Sequence, residues 1–212
     1  MSDPCSPPAS GYPSDCEVLE GLRTRSQSRA AGVEDPRRRL ALAKAREIKL
    51  LLLDVDGVLT DGRLLYGEGS TESKSFHTQD GFGLRLLREG GVDTGIITAR
   101  NSTVVARRAA ELQMKHIHQG TGNKDLAFRD ILSTTGLKPY QVAYIGDDWL
   151  DLVVLQQAGL AIAPVNAVQE VKDSVHFVTR LAGGHGAVRE ACELILEGRE
   201  QLAALLQKYR SR

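Results

Sequence analysis

Short, continuous runs of apolar residues recur along the chain from residue 49 onward. Leu50–Leu53 form the first run, and further runs cover residues 94–98, 142–146 and 160–163. Runs that do not alternate with polar positions are typical of strands buried on both faces of a sheet. Helical patterns separate or follow these runs, at residues 101–113, 124–135, 149–158, 186–196 and 200–209. Strands that alternate with helices predict an α/β fold, with a Rossmann-like parallel sheet and helices on both faces.

Two segments depart from this alternation. Residues 61–80 carry three glycines between two short extended pieces, which predicts a small β-hairpin projecting over the strand ends. Residues 1–36 hold five of the seven prolines and six serines, so we expect a disordered tail. The predicted division is therefore a tail with the start of a first helix (1–46), an α/β domain (47–198) and a C-terminal helix (199–212).

Composition excludes several classes of protein. The 212 residues include 27 basic and 27 acidic side chains, whereas binding to the nucleic-acid backbone requires a basic excess. Cys5, Cys16 and Cys192 show no recurring spacing, which indicates reduced thiols rather than a disulfide framework or a zinc site. No apolar stretch approaches the length of about 18 residues that indicates a membrane span, and no signal-peptide pattern begins the chain. We therefore expect a cytoplasmic protein with neither nucleic acid nor membrane as a partner.

Polar side chains suited to phosphoryl chemistry gather at the ends of the predicted strands. Asp54 and Asp56 follow the first strand at alternate positions, where a carboxylate pair could also merely cap a turn. Thr98, Lys124 and Asp147 likewise fall at strand or helix ends, and the carboxyl ends of parallel strands face one crevice. A hydroxyl and an ammonium can hold phosphate oxygens, while the carboxylates of Asp54 and Asp147 supply the oxygen ligands that Mg²⁺ prefers. Asp54 could attack phosphorus, and Asp56 could protonate the leaving alcohol and then activate water.

These motifs resemble those of the haloacid dehalogenase-like phosphatases. The segments DVDGVLTDG (54–62), IIT (96–98), Lys124 and GDDxxD (146–151) stand in the order of that family's four motifs. Residues 74–83, 118–120, 123–124 and 179–190 further resemble the phosphatases of 3-deoxy-D-manno-octulosonate 8-phosphate within it. The resemblance covers about residues 48–195, and it implies a haloacid dehalogenase-like fold with the hairpin as a small cap.

The same resemblance implies an activity and a set of site residues. The implied reaction is Mg²⁺-dependent hydrolysis of this eight-carbon keto-sugar acid phosphate, in lipopolysaccharide synthesis. Asp54 would be the nucleophile and Asp56 the acid and base, with Thr98 and Lys124 completing the catalytic set. Mg²⁺ would be held by Asp54, the Asp56 carbonyl oxygen and Asp147. The implied substrate contacts, many of them donors suited to phosphate and carboxylate groups, are Asp56, His77, Thr78, Gln79, Asp80, Gly81, Arg85, Arg100, Arg108 and Lys124.

Family members form homotetramers, and the resemblance implies that residues 183–186 of one subunit close over a neighbour's site, with Arg189 as a candidate lid residue. A glycine cluster before an ordinary terminal helix is the alternative. His185 stands where family members often have Arg, and Ala99 where Gly often precedes the arginine. Both departures bear on the choice of substrate rather than on phosphoryl chemistry.

Three alternative functions remain open at this point. A phosphatase of a sialic-acid-type nine-carbon acid 9-phosphate needs the same motifs. A phospho-accepting signalling domain also uses a strand-end Asp, a Thr, a Lys and Mg²⁺, although Asp56 at the second position after Asp54 favours hydrolysis. A non-catalytic oligomeric protein on the same fold is the third alternative, since fold does not imply function, but no motif carboxylate is missing.

Overall fold

A computed structural model describes residues 35–67 and 72–211 of the protein. Arg37–Arg212 form one compact unit, so the first helix from Arg37 onward and the last helix belong to the same unit as residues 47–198. The predicted disordered tail up to residue 34, with Cys5 and Cys16, lies outside the described residues. Cys192 is described and is a buried free thiol. None of the helices in the described segments combines the length and the hydrophobicity that a membrane-spanning helix needs.

The described residues form eight strands and eight α-helices. The strands are β1 (Leu50–Leu53), β2 (Leu65–Tyr66), β3 (Glu72–Ser73), β4 (Asp93–Ile97), β5 (His116–His118), β6 (Val142–Ile145), β7 (Leu160–Ala163) and β8 (Phe177–Val178). The helices are α1 (Pro36–Ala45), α2 (Thr78–Glu89), α3 (Thr103–Glu111), α4 (Lys124–Thr135), α5 (Leu152–Leu155), α6 (Gln169–Ser174), α7 (Ala187–Gly198) and α8 (Leu202–Arg210). Short 3-10 helices cover Pro139–Gln141 and Trp149–Asp151.

Six of the strands form one parallel sheet in the order β5-β4-β1-β6-β7-β8. Strand β1 is buried along its whole length, and its side chains alternate between the two faces. Leu51 and Leu53 pack with apolar residues of α1, α2, α3 and α7, whereas Leu50 and Leu52 pack with those of α4, α5 and α6. The predicted α/β fold, a parallel sheet with helices on both faces, is confirmed.

The predicted hairpin is present but short. Strands β2 and β3 pair antiparallel, with Leu65 opposite Ser73 and Tyr66 opposite Glu72. The region assigned to the hairpin ends earlier than residue 80, because helix α2 already begins at Thr78. His77 is extended at the position before the helix, and Asp80 lies in the first turn, where a carboxylate interacts favourably with the helix dipole.

The other predicted helices agree with the structure to different extents. Helix α4 has the predicted bounds, since the Asn123 side chain caps its first turn and Gly136 ends it in the left-handed conformation. The helix predicted over 149–158 is instead a 3-10 turn followed by the short helix α5. Asp148 and Asp151 fold back onto backbone N–H groups there, which favours the tighter 3-10 turn at the entry to the helix.

The glycine-rich segment before α7 packs on the loop after β1 of the same chain. The Gly183 N–H donates to Asn166 Oδ1 at 2.7 Å, and Asn166 Nδ2 donates to the Gly57 carbonyl at 3.0 Å. The Gly184 N–H donates to the Val58 carbonyl at 3.0 Å. A Cβ at Gly183 would overlap the Gly57 carbonyl oxygen. In this chain, glycine at residue 183 therefore permits close backbone packing beside the first motif.

We expect Gly183→Ala to destabilise the protein by about 1 to 3 kcal/mol, because the loop after β1 must move to admit a methyl group. Urea unfolding followed by circular dichroism measures the change. Gly122→Ala is the matched control, since a Cβ there would meet no described atom within 4 Å. Equal stability of the Gly183 variant and the control would contradict the close packing.

Candidate active site

Strand β1 lies between β4 and β6, at the point where the chain reverses the direction in which it adds strands. Ligands of open α/β sheets bind outside the carboxyl ends of the strands at such a position. A cavity of about 310 Å³ lies there. Acidic, basic and hydroxyl side chains dominate its lining: Asp54, Asp56, Gly62, Thr98, Ala99, Arg100, Lys124, Asp147, Asp148, Leu150 and Asp151. The structure thus brings the predicted catalytic and metal-binding residues together at one cavity.

The Lys124 ammonium lies at the centre of a buried polar network. It is 3.0 Å from Asp54 Oδ1 and 2.7 Å from Asp151 Oδ1, and it donates to the Tyr144 hydroxyl at 3.3 Å. The Tyr144 hydroxyl in turn donates to Asp151 Oδ1 at 2.6 Å. The Lys124 side chain is 2% exposed, so its charge depends on these partners for solvation. The network fixes the Lys124 ammonium beside the predicted nucleophile.

Asp151 supports the site but is not free to bind a metal ion. Its Oδ1 accepts from Lys124 and Tyr144, and its Oδ2 accepts from the N–H groups of Asp147 and Asp148 at 2.9 and 3.2 Å. Both oxygens are therefore committed to hydrogen bonds. Asp151 orients the loop that carries Asp147, in the way that outer groups orient metal ligands.

Asp54 and Asp147 have the features of a divalent-cation site. Ligand atoms of Asp54, Asp147 and Asp151 lie within 4.8 Å of one another. Among the described residues, Asp147 Oδ1 is buried and has no hydrogen-bond partner. Gly57 has a φ of +86°, and a Cβ there would overlap the Asp147 carboxylate. This donor set fits Mg²⁺, which prefers carboxylate oxygens; the Asp56 carbonyl as a further ligand stays a prediction.

Burial shapes the protonation of the two carboxylates. It raises the pKa of Asp54 to about 6, and the Lys124 charge opposes this shift. Burial also raises the pKa of Asp147 to about 7, with further contributions from the negative charges of Asp54 and Asp151. A cation between the two carboxylates would remove the repulsion that favours their protonated forms.

Seven of the ten predicted substrate contacts line one of two cavities. Asp56, Arg100 and Lys124 line the catalytic cavity. A second cavity of about 580 Å³ lies along α2 and the end of α3. Its lining is rich in arginine and includes four of the predicted contacts, Thr78, Gly81, Arg85 and Arg108. Within one subunit, these four do not line the cavity of the catalytic carboxylates.

Asp80 has hydrogen-bond partners in the fold, Gln79 is exposed, and the buried ring nitrogen Nδ1 of His77 has no hydrogen-bond partner among the described residues. The Asp80 side chain is buried and accepts from the N–H groups of Gly186 at 3.3 Å and Arg189 at 2.7 Å, so it holds the first turn of α7. Burial raises the pKa of Asp80. His77 Nδ1 lies 3.9 Å from Asp80 Oδ2. Thr78–Gly81 form the first turn of α2 and not part of the hairpin predicted over residues 61–80.

A model of haloacid dehalogenase-like hydrolases matches residues 111–190. The KdsC 3-deoxy-D-manno-octulosonate 8-phosphate phosphatase of Escherichia coli strain K12 is 43% identical over 155 residues, which cover 73% of this chain and 82% of that protein. The chain belongs to the KdsC family of haloacid dehalogenase-like hydrolases.

Solved structures agree with this KdsC-family assignment. A probable yrbi family phosphatase from Pseudomonas syringae has a TM-score of 0.80 and 43% identity, over 81% of this chain and 97% of the other. The Moraxella catarrhalis 3-deoxy-D-manno-octulosonate 8-phosphate phosphatase has a TM-score of 0.78 and 40% identity, over 80% and 97%. That structure contains a magnesium ion, a phosphate ion and a KDO molecule.

Three further residues contact the site although no role for them was predicted from the sequence. Tyr144 is one of them. It lies in an apolar run, and the run alone does not show whether its hydroxyl forms hydrogen bonds or its ring only packs in the core. Glu72 and Lys74 of the hairpin are two more, since both contact the cavity residues Asp56 or Arg100. Their alternate spacing on an extended segment was the available signal.

We expect Asp147→Asn to raise the stability of the metal-free protein by about 1 to 2 kcal/mol at pH 8, since one of the crowded charges is removed. The sign follows from the pKa of Asp147, which is higher in the folded than in the unfolded state. Ionised Asp147 therefore lowers the stability of the folded protein once the pH exceeds the pKa of the unfolded state, and the loss is largest above a pH of about 7. The gain should therefore shrink as the pH falls toward 4.

Thermal unfolding with and without Mg²⁺ checks both parts. Mg²⁺ at a hundred times its Kd should stabilise the unchanged protein by about 2.7 kcal/mol and leave Asp147→Asn unaffected. Asp148→Asn, on an exposed neighbour, should keep the Mg²⁺ response. An unaltered Mg²⁺ response in Asp147→Asn would remove Asp147 from the metal site.

We expect Tyr144→Phe to lower kcat for phosphate release about tenfold while KM stays within about twofold, because Lys124 and Asp151 lose a shared partner. Stability should fall by about 1 to 3 kcal/mol, the cost of a lost buried hydrogen bond to charged groups. Steady-state kinetics and thermal unfolding measure the two effects, with Tyr140→Phe, at an exposed tyrosine, as the control. Lost stability with unchanged kcat would limit Tyr144 to a structural role.

Proposed function

We propose that the protein hydrolyses 3-deoxy-D-manno-octulosonate 8-phosphate to 3-deoxy-D-manno-octulosonate and phosphate. The observation that carries the proposal is the Lys124 ammonium 3.0 Å from Asp54 Oδ1, beside Asp147, in a cavity at the ends of β1, β4 and β6. The relatives from Escherichia coli and Yersinia pestis have this activity in their names, at 43% and 42% identity. KDO in the Moraxella catarrhalis structure supports the same substrate class.

Asp54 is the nucleophile of the proposed mechanism. Its carboxylate attacks phosphorus, and the bond from phosphorus to the sugar oxygen breaks as an aspartyl-phosphate forms. Asp56 gives a proton to the departing sugar oxygen and then takes one from the water that attacks the aspartyl-phosphate. Lys124 and Thr98 bind phosphate oxygens, and Lys124 offsets the charge that gathers on them. Mg²⁺, held by Asp54 and Asp147, supplies charge neutralisation and orientation of the phosphate.

Arg100 is the proposed contact for a further anionic group of the substrate. Its guanidinium lines the catalytic cavity, lies 3.8 Å from Asp56 Oδ2 and is 42% exposed. An exposed guanidinium at a cavity mouth can form paired hydrogen bonds with a carboxylate. The proposal therefore assigns the acid group of the sugar to the side of the cavity that faces the hairpin.

The remaining features of the proposal rest on the family resemblance. These are contacts of Thr78, Gly81, Arg85 and Arg108 with substrate, a homotetramer, and a cytoplasmic location. In the homotetramer, residues 183–186 with Arg189 would also close over a neighbouring site. Within one subunit the Arg189 side chain pairs with Glu193 at 2.7 Å and stacks on the Phe82 ring at 5.3 Å.

We expect phosphate release to depend on Mg²⁺. Among the substrates compared, kcat/KM should be highest for 3-deoxy-D-manno-octulosonate 8-phosphate. The comparison substrates are N-acetylneuraminate 9-phosphate and simple hexose phosphates. Asp54→Asn should abolish turnover with little change in the circular dichroism spectrum, since the nucleophile is lost and the volume is kept. The expected loss is at least about a thousandfold.

Each other outcome has a distinct meaning. A higher kcat/KM for the nine-carbon acid phosphate would support the proposed mechanism but replace the proposed substrate. Turnover by the Asp54→Asn variant would show that Asp54 is not the nucleophile. A phosphoryl group retained without turnover would favour a signalling domain, and silence with every substrate would favour a non-catalytic protein.

A further inference from the structure

Four charged side chains form a closed ring between the hairpin and the catalytic cavity. Lys74 donates to Asp56 Oδ1 in a short hydrogen bond, and Asp56 Oδ2 lies 3.8 Å from Arg100 Nε. Arg100 Nη2 donates to Glu72 Oε1 at 3.3 Å, and Glu72 Oε1 lies 3.5 Å from Lys74 Nζ. Positive and negative groups alternate, so every contact in the ring is attractive.

The ring connects three separate segments of the chain. Asp56 follows strand β1, and Arg100 follows strand β4. Glu72 and Lys74 come from the second strand of the hairpin and the residue after it. Because side chains two positions apart on an extended segment point to the same side, the hairpin directs both charges toward the cavity. The hairpin therefore contributes charged groups to the surroundings of Asp56.

Lys74 is held more tightly than a surface ion pair would be. Its side chain is 1% exposed, against 21% for Asp56 and 18% for Glu72. A desolvated ammonium is costly without counter-ions, and breaking such a buried pair costs far more than breaking an exposed one. Lys74 can therefore restrict the rotation of the Asp56 carboxylate.

The two Asp56 oxygens have different surroundings. Oδ1 accepts from Lys74, whereas Arg100 Nε, at 3.8 Å from Oδ2, is beyond hydrogen-bond length. Oδ2 is therefore the oxygen that can carry a proton without giving up a hydrogen bond. An acid that transfers its proton in the transition state must be held within hydrogen-bond reach of the reacting oxygen.

We propose that Lys74 is the positioning residue for the acid and base Asp56, with Glu72 holding Lys74 in place. The inference rests on the proposed function and assigns part of its machinery to the hairpin. In the first step, the Asp54 oxygen bonds to phosphorus, the sugar oxygen leaves, and Asp56 Oδ2 gives that oxygen its proton. In the second step, Asp56 Oδ2 takes a proton from water, the water oxygen bonds to phosphorus, and the Asp54 oxygen leaves.

The test compares two leaving groups. The sugar alcohol needs a proton from Asp56 to leave, whereas p-nitrophenolate leaves without one. With Lys74→Met, kcat/KM for the sugar acid phosphate should fall at least about tenfold, while kcat/KM for p-nitrophenyl phosphate stays within about twofold. Hydrolysis of the aspartyl-phosphate still needs Asp56 as a base, so kcat for p-nitrophenyl phosphate should fall. A burst of about one p-nitrophenol per active site should precede the slow steady state.

Glu72→Gln is the second variant. It should change kcat/KM and kcat for the two substrates in the same direction as Lys74→Met, by a smaller factor. It keeps the test decisive if Lys74→Met loses its circular dichroism spectrum. Arg63→Gln is the matched control, since Arg63 precedes β2 with a side chain that is 85% exposed. The control should retain the kinetics of the unchanged protein with both substrates.

The outcomes separate this inference from the proposed function. Equal losses for the two leaving groups, or no loss in either variant, would overturn the positioning role while the activity itself stands. An unchanged protein that hydrolyses neither phosphate in the presence of Mg²⁺ would reject the proposed function.

Discussion

The charge of Lys124 is the interaction on which the catalytic site depends. The ends of β1 and β6 bring Asp54, Asp147 and Asp151 together where burial already penalises charge, as the raised pKa values of Asp54 and Asp147 record. The Lys124 ammonium, at the first turn of α4, contacts two of these carboxylates within 3.0 Å. An opposite charge at this distance offsets part of the desolvation cost, and the cluster can stay ionised enough to bind a cation.

The rest of the local structure serves this arrangement. Tyr144 and two backbone N–H groups complete the hydrogen bonds of Asp151, so that its carboxylate holds both Lys124 and the Asp147 loop. Glycine at residue 57 leaves space for the Asp147 carboxylate, and Gly183 lets the segment before α7 reach the Gly57 carbonyl. Any side chain at residue 57 or 183 would be too large for this close packing, which holds the carboxylate cluster together.

The hairpin and helix α2 connect this centre to the outer part of the molecule. Lys74 of the hairpin contacts Asp56, and Glu72 contacts Arg100. Asp80, in the first turn of α2, accepts a hydrogen bond from the backbone of the first turn of α7. Residues that the family resemblance groups as substrate contacts therefore have different physical roles within one subunit. Asp56 and Arg100 line the catalytic cavity, whereas the buried Asp80 carboxylate organises backbone.

The sequence by itself determined the four central strands of the sheet (β1, β4, β6 and β7) and the four motifs, whereas no apolar run or helical pattern predicted β5, β8 or helix α2. The apolar run Leu50–Leu53 requires burial on both faces, and the capping residues around α4 set its bounds locally. The tertiary structure alone decided which side chains meet across distant segments. It committed both oxygens of Asp151 to hydrogen bonds, placed Tyr144 against Lys124, and separated Arg85 and Arg108 from the catalytic cavity. The reason is physical: strand and helix periods follow from neighbouring residues, whereas these contacts join residues that lie far apart in the chain and depend on how helices pack on the sheet.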